Sequence, residues 1–219
     1  MSGYKFWTNV SVAMASLAGL GAAIPITSIS KASPAVLNYT GADPTNGDIV
    51  LLKVNGMTQL NNRLFRVAGV DAGANTFQLE GVDSTLFRTF IAAGSTFQVV
   101  TFNTEFSTLS EPTAGGGDPV FEDTTLIHDP EDTQEVVSSS PQTYGFSSVW
   151  DPTNPALIEA NRAFVTRTPR PIRVTYADGS FYLAYATFSA PLAPGASGKK
   201  VSTPVNLSLK ATGTSYGAA

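Results

Sequence analysis

The sequence predicts a mainly β protein: an antiparallel β-sandwich or barrel carrying one short α-helix, with a second, smaller β module. Three observations support this. Most apolar runs are short, rich in Val, Thr, Tyr and Phe, and closed by Gly, Asn, Asp or Pro, which is strand and turn chemistry. The stretch Arg173 to Ser189, RVTYADGSFYLAYATFS, places two such runs around Asp178-Gly179 and is the strongest hairpin signal in the chain. Helical periodicity with a capping residue occurs in one place, after Asn154.

The hairpin is expected to close through a two-residue turn at Asp178-Gly179 and to form the centre of a sheet. Val174 and Tyr176 before the turn, and Phe181, Leu183 and Tyr185 after it, follow a period of two, which lets each strand turn one face to a core. Upstream, Phe6 to Ala15 alternates in the same way and reads as a strand. The following SLAGLGAAIP has the small-residue texture of a secretory leader, but Asn9, Ser11 and Ser16 interrupt the apolar run, so it is not read as one. No stretch approaches about 18 uninterrupted apolar residues, which excludes a membrane-spanning helix.

From Ile26 to Val100 the chain breaks into short β-rich runs entered through turn residues, and its five basic and five acidic residues cancel. It reads as a module of its own. Phe102 to Gly117 runs into Thr113-Ala114-Gly115-Gly116-Gly117-Asp118-Pro119, a flexible loop by composition. Phe121 to His128 and Thr143 to Trp150 read as strands joined by an acidic, Ser-rich loop from Asp129 to Gln142. Asn154 offers a side-chain cap, Pro155 suits the first helical turn, and Leu157, Ala160 and Phe164 with Ile158 and Val165 form an apolar stripe, so one helix of about three turns is expected. Val205, Leu207, Leu209 and Ala211 mark a final strand.

Composition narrows the function. The chain of 219 residues is 42% apolar and 14% charged, enough for a sizeable core, and it has no Cys, hence no disulfide, thiolate metal site or Cys nucleophile. A net charge of −4 argues against a surface that binds nucleic acid over the whole molecule. The charge is uneven: eleven acidic residues and no Lys or Arg lie between Phe102 and Asn161, whereas Arg162 to the end holds seven basic residues against Asp178.

Catalytic readings fail on their missing parts. His128 beside Asp129 has the composition of a general base, but no Ser sits in a nucleophile-elbow context, so His128 is read as a surface or interface residue. The cluster Asp129, Glu131, Asp132 and Glu135 lacks the spacing and the Gly of a Ca²⁺ loop and is read as a solvated or interface charge run. The Gly-rich run has no Lys after it to hold a phosphate. Tyr176, Phe181, Tyr182 and Tyr185 are read as core and sheet face rather than as a stacking platform. No cofactor and no metal is expected.

Two family resemblances follow from particular residues. Gly47-Asp48, Val50, Asn55-Gly56-Met57, Gln59-Leu60-Asn61, Phe65, Asn75-Thr76-Phe77 and Leu79-Glu80-Gly81 resemble the small β-barrel of ubiquitin-activating enzymes named for the first catalytic-cysteine half-domain, a module that recurs in phage structural proteins. With no Cys here, the resemblance implies a barrel and no activity. The order of strand, long acidic loop, strand, helix, hairpin and final strand over residues 121–212, with DTTLIHD, the Trp150 to Phe164 region and the hairpin, resembles the tail tube proteins of long-tailed bacteriophages.

That resemblance implies a discontinuous tail tube β-domain, 1–24 and 102–219, with 25–101 as an inserted barrel on the tube exterior. It also implies a virion protein, assembled in the host cytoplasm, whose hexameric rings stack into a tube through which DNA passes without specific binding. The implied partners are further copies of the chain, a tape-measure protein, a tail terminator and distal tail or baseplate proteins, with no membrane. The residues expected at contacts between copies are Asp123, His128, Asp129, Glu131, Asp132 and Glu135 on the acidic side and Arg162, Arg167, Arg170, Lys199 and Lys200 on the basic side. The alternative reading is a secreted or surface β-sandwich that binds carbohydrate.

Overall fold

The computed structural model describes residues 7–128, 130–197 and 200–218. In chain order the strands are β1 (Ser11–Met14), β2 (Ile24–Ile29), β3 (Ala35–Tyr39), β4 (Ile49–Asn55), β5 (Arg63–Asp71), β6 (Thr76–Leu79), β7 (Ile91–Val100), β8 (Thr104–Phe106), β9 (Leu109–Gly115), β10 (Pro119–Asp123), β11 (Gln134–Ser139) and β12 (Thr143–Val149). After the helix α1 (Pro155–Thr166) come β13 (Arg170–Thr175), β14 (Phe181–Ser189), β15 (Gly195–Ser197), β16 (Lys200–Leu209) and β17 (Thr214–Tyr216). The fold is mainly β with one helix, as the sequence predicts.

Three bodies of sheet result. A nine-stranded antiparallel sheet runs β8-β1-β13-β14-β16-β12-β9, with β15 added to β16 and β17 to β14. β2, β3, β6, β5, β4 and β7 close into a barrel. β10 and β11 pair only with each other. No helix among the described residues is long and apolar enough to cross a membrane.

β14 is the middle strand of the large sheet, but the hairpin closes differently from the two-residue turn expected of Asp178-Gly179. Gly179 N–H donates to the Tyr176 carbonyl (2.9 Å) and Tyr176 N–H to the Ser180 carbonyl (2.8 Å), with Gly179 left-handed at φ 81°. This is a three-residue loop, a type I turn followed by a glycine bulge. Asp178 favours it by accepting from Ser180 N–H (3.0 Å) and Oγ (2.6 Å). The extra residue shifts the pairing by one: Val174 lies opposite Tyr182, not Leu183, so the residues expected on one face divide between two.

Both faces of β14 are therefore covered. Ala184, Ala186 and Phe188 join Ile172, Val174, Phe146, Val205, Leu207 and Leu209 in a core roofed by α1. Leu183 and Tyr185 face the other way, onto the barrel's outer wall at Ile49, Leu51, Leu64 and Val100. The barrel interior is a separate core that includes Leu37, Val50, Phe65, Phe77 and Phe97. β17 ties the two together: Thr214 Oγ1 donates to the Leu64 carbonyl (2.5 Å), Arg66 N–H donates to the Tyr216 hydroxyl (2.9 Å), and the Arg66 guanidinium lies over the Tyr216 ring.

The chain enters and leaves the barrel at adjacent points. Gly21 N–H donates to the Val99 carbonyl and Thr101 N–H to the Gly19 carbonyl, both at 2.8 Å. A Cβ on Gly19 would stand 2.3 Å from the Thr101 carbonyl oxygen, so this crossing requires glycine.

α1 begins where the sequence places it. The Asn154 side chain accepts from Ala156 N–H (2.9 Å) and Leu157 N–H (3.4 Å), and Pro155 fills the first turn. Its buried face differs from the expected stripe: Ala156, Leu157, Glu159, Ala160 and Ala163 are buried, whereas Ile158, Phe164 and Val165 are exposed. Small side chains let the helix lie close on the sheet, and Glu159 is drawn inward by Arg170, 3.1 Å from its Nε.

Two further expectations are corrected. The Gly-rich loop expected up to Pro119 is a strand as far as Gly115, because β9 completes the open edge of β12 despite its modest propensity. The strand expected from Phe121 to His128 stops at Asp123, and the loop expected from Asp129 to Gln142 contains β11.

Candidate assembly surfaces

The acidic region forms a two-stranded arm. Phe121 pairs with Val136, Glu122 with Glu135 and Asp123 with Gln134, with a bulge beside Phe121. At about 3.4 Å per residue its strands span roughly 17 to 20 Å. Its strand residues are all exposed and join none of the three cores of the described residues. Val120, Phe121, Leu126, Ile127, Val136 and Val137 are large apolar residues in contact with solvent, Ile127 fully so. Such concentration on one element marks an interaction surface rather than the scattered apolar exposure of any monomer.

Asp123 ends β10 by capping a turn, accepting from Thr125 N–H at 2.9 Å. The hydroxyl of Thr125 first, and its N–H second, hold the Asp123 carboxyl below the usual carboxylate range. His128, Glu131 and Asp132 are exposed at the arm's far end, and Glu135 lies directly opposite Glu122 on the strands. Like charges across a strand pair oppose the pairing. Asp129 lies outside the described residues.

The basic residues are not one surface. Arg162 is largely exposed and bonds Glu159 Oε2 through Nη1 at 3.1 Å. Arg167 is exposed at the end of α1, in a left-handed conformation with φ 52°. Lys200 is exposed at the start of β16, and Lys199 lies outside the described residues. Arg170, expected on the basic surface, is instead 0% exposed. Its Nη1 donates to the Thr168 and Pro169 carbonyls (3.0 and 3.3 Å), and Nε meets Glu159, because a guanidinium taken out of water must find acceptors inside. Arg170 is a core residue of the helix–sheet contact, and among the described residues no acidic arm residue forms an ion pair with a cation of its own chain.

Two surfaces escaped sequence reasoning. The apolar side chains of the arm were hidden in a segment dominated by Asp, Glu and Ser; their signal was Val136-Val137 within reach of Val120-Phe121. The second surface is the sheet face beyond the barrel, where Thr113, Thr143, Thr187, Ser189, Asn206 and Ser208 line a shallow depression that carries no charge.

With the geometry in view, a family comparison decides the class. The model of the family described as phage tail tube protein, TTP, matches residues 55–218, from the end of β4 through β17. The chain belongs to this tail tube family. A search of curated proteins finds no match. Membership makes the protein a structural component of the virion tail, not a catalyst, one that assembles with itself and other tail proteins into a tube. The match takes in β5, β6 and β7, so half of the barrel lies inside the region the tail tube family shares.

Proposed function

We propose that copies of this chain close into rings, by family precedent hexameric, that stack head to tail into a tube through which DNA leaves the virion. The observation that carries this is the β10–β11 arm, whose Val120, Phe121, Val136 and Val137 side chains are exposed to solvent. The seven-residue edge strand β9 also has an open side, available to a neighbouring copy's strand. A contact between two different surfaces of identical copies is heterologous, the type that generates rings or open filaments.

The uncharged Ser, Thr and Asn face of β9, β12, β16 and β14 is the surface best suited to the lumen. It offers no Lys or Arg to hold a phosphate backbone, so DNA would slide past without the salt-dependent affinity that cations confer. The barrel covers the other end of the same sheet face, over Leu183 and Tyr185, and is proposed to stand clear of the lumen on the outside of the tube at that end, since its two chain ends meet at one point. A tape-measure protein, a terminator and distal tail proteins complete the proposed assembly in the host cytoplasm.

Purified protein is expected to form rings or tubes in negative-stain images and to sediment far above the monomer. A chain that stays monomeric at high concentration refutes the proposal. Replacing Pro25 to Thr101 with a short Gly/Ser linker tests the exterior barrel, and the variant also needs Leu183 and Tyr185 made polar, since the barrel now covers them. A folded variant that forms no rings places the barrel in the interface.

A further inference from the structure

We propose that the β10–β11 arm of one copy docks in a groove at the end of α1 on a neighbouring copy, an inference that rests on the tube reading and assigns the arm its receptor. The groove is lined by Phe164, Val165, Thr187 and Phe188, with Arg167 and Lys210 at its rim. Phe164 is 38% and Val165 69% exposed, an apolar pair left uncovered because the helix turns its small residues and Glu159 to the sheet. Neither Arg167 nor Lys210 forms an ion pair among the described residues.

The arm is complementary in both respects. Phe121, 54% exposed, and Val136 lie side by side across the strands, giving an apolar face for Phe164 and Val165. Glu122 and Glu135 lie opposite each other on the alternate positions, and the arm has no basic residue of its own to relieve them. That pair points from the opposite face of the ribbon, so with the apolar face seated against Phe164 and Val165 the long Arg167 or Lys210 side chain reaches round the ribbon edge to it and relieves the repulsion. The arm's root and the groove sit at the same end of the sheet, because Leu209 N–H donates to the Gln142 carbonyl at 2.9 Å and Lys210 follows directly. A copy beside the first in a ring presents its groove at the arm's level, so the contact repeats around the ring, one arm in one groove.

The absence of Cys from the sequence makes the test direct. Copies carrying Phe121→Cys and copies carrying Val165→Cys, mixed, assembled and mildly oxidised, are expected to give a covalent dimer. The control mixture of Phe121→Cys with Leu86→Cys, a residue exposed on the barrel, is expected to give several-fold less. Val136→Cys serves as a second arm probe, and thermal melts confirm that each variant is folded. Equal yields in test and control mixtures, or dimers from Phe121→Cys copies alone, overturn the docking. Reversing the rim with Arg167→Glu and Lys210→Glu is expected to abolish assembly, with recovery on adding Glu122→Lys and Glu135→Lys; unchanged assembly in the first variant also overturns it. Wild-type tubes without the cross-link refute the groove alone, whereas a wild-type chain that never assembles refutes the tube reading on which it rests.

Discussion

Replacing Glu159 with Gln should destabilise the helix–sheet core by an amount set by the burial of Arg170. The guanidinium is 0% exposed, and its charge is met by one carboxylate, Glu159, at 3.1 Å, with two backbone carbonyls completing its shell. Its Nη2 has no hydrogen-bond partner, so the site has no spare acceptor to compensate. Removing one member of a buried pair costs about 3 to 5 kcal/mol, because the remaining charge stays desolvated. Glu159 keeps a side-chain exposure of 9%, which argues for the lower end, about 3 kcal/mol. For a chain of this size that corresponds to a fall in Tm of about 6 to 12 °C. Both tryptophans report on this core: Trp7 packs edge-on against Phe146, and Trp150 Nε1 donates to the Leu192 carbonyl at 2.8 Å. Urea denaturation followed by tryptophan fluorescence on dilute protein is therefore the assay. Arg162→Ala is the control, with an expected cost below about 1 kcal/mol because the Arg162 side chain is itself 62% exposed and Glu159 keeps Arg170 as its partner. Glu159→Gln combined with Arg170→Met should recover most of the loss. A cost under about 1 kcal/mol for Glu159→Gln would mean that the pair behaves like a surface ion pair, and the reasoning would fail.

Leu183→Ala should open a cavity between the barrel and the sheet, costing about 2 to 5 kcal/mol in denaturant titrations; a loss below that range would show the two bodies to be loosely apposed. Asn154→Ala removes the only side-chain cap of α1 among the described residues and should cost about 1 kcal/mol, read as a lower midpoint with an unchanged denaturant slope. Tyr39 is buried in the barrel and donates to Asp43 Oδ1 at 2.7 Å, and burial first, with that bond second, raises its pKa to about 12. Since a folded pKa above the unfolded value of about 10 favours the neutral form, its contribution is complete below pH 10 and disappears as the pH rises towards 12. Stability measured across that window should fall less steeply in Tyr39→Phe than in the wild type.

The local rules were legible in the sequence. A β-rich chain with one capped helix, the central hairpin and the run of short strands that becomes the barrel all follow from period-two patterning, turn residues and the Asn154-Pro155 pair. These depend on contacts within a few residues, which a linear pattern records. The exposed arm was half legible: its charge was plain, but Gln134 to Ser139 read as a loop because a two-stranded ribbon is specified by its partner strand as much as by its own residues.

What only the tertiary structure decided depends on contacts between distant segments. One extra residue in the turn after Tyr176 moved Val174 from Leu183 to Tyr182, and the hydrogen bonds of Asp178 with Ser180 favour that three-residue loop over the two-residue turn expected of Asp178-Gly179. Runs such as Ile49-Val50-Leu51-Leu52 and Leu183-Ala184-Tyr185-Ala186 carry the mark of strands buried on both faces, yet which body covers the second face follows only from the docking of barrel on sheet. Arg170 lies eleven residues from Glu159 and looks like any surface cation in the sequence. Its burial is fixed by where α1 packs on β14 and β8, and that placement, by turning Glu159 inward, leaves Phe164 and Val165 exposed on the outside of the helix.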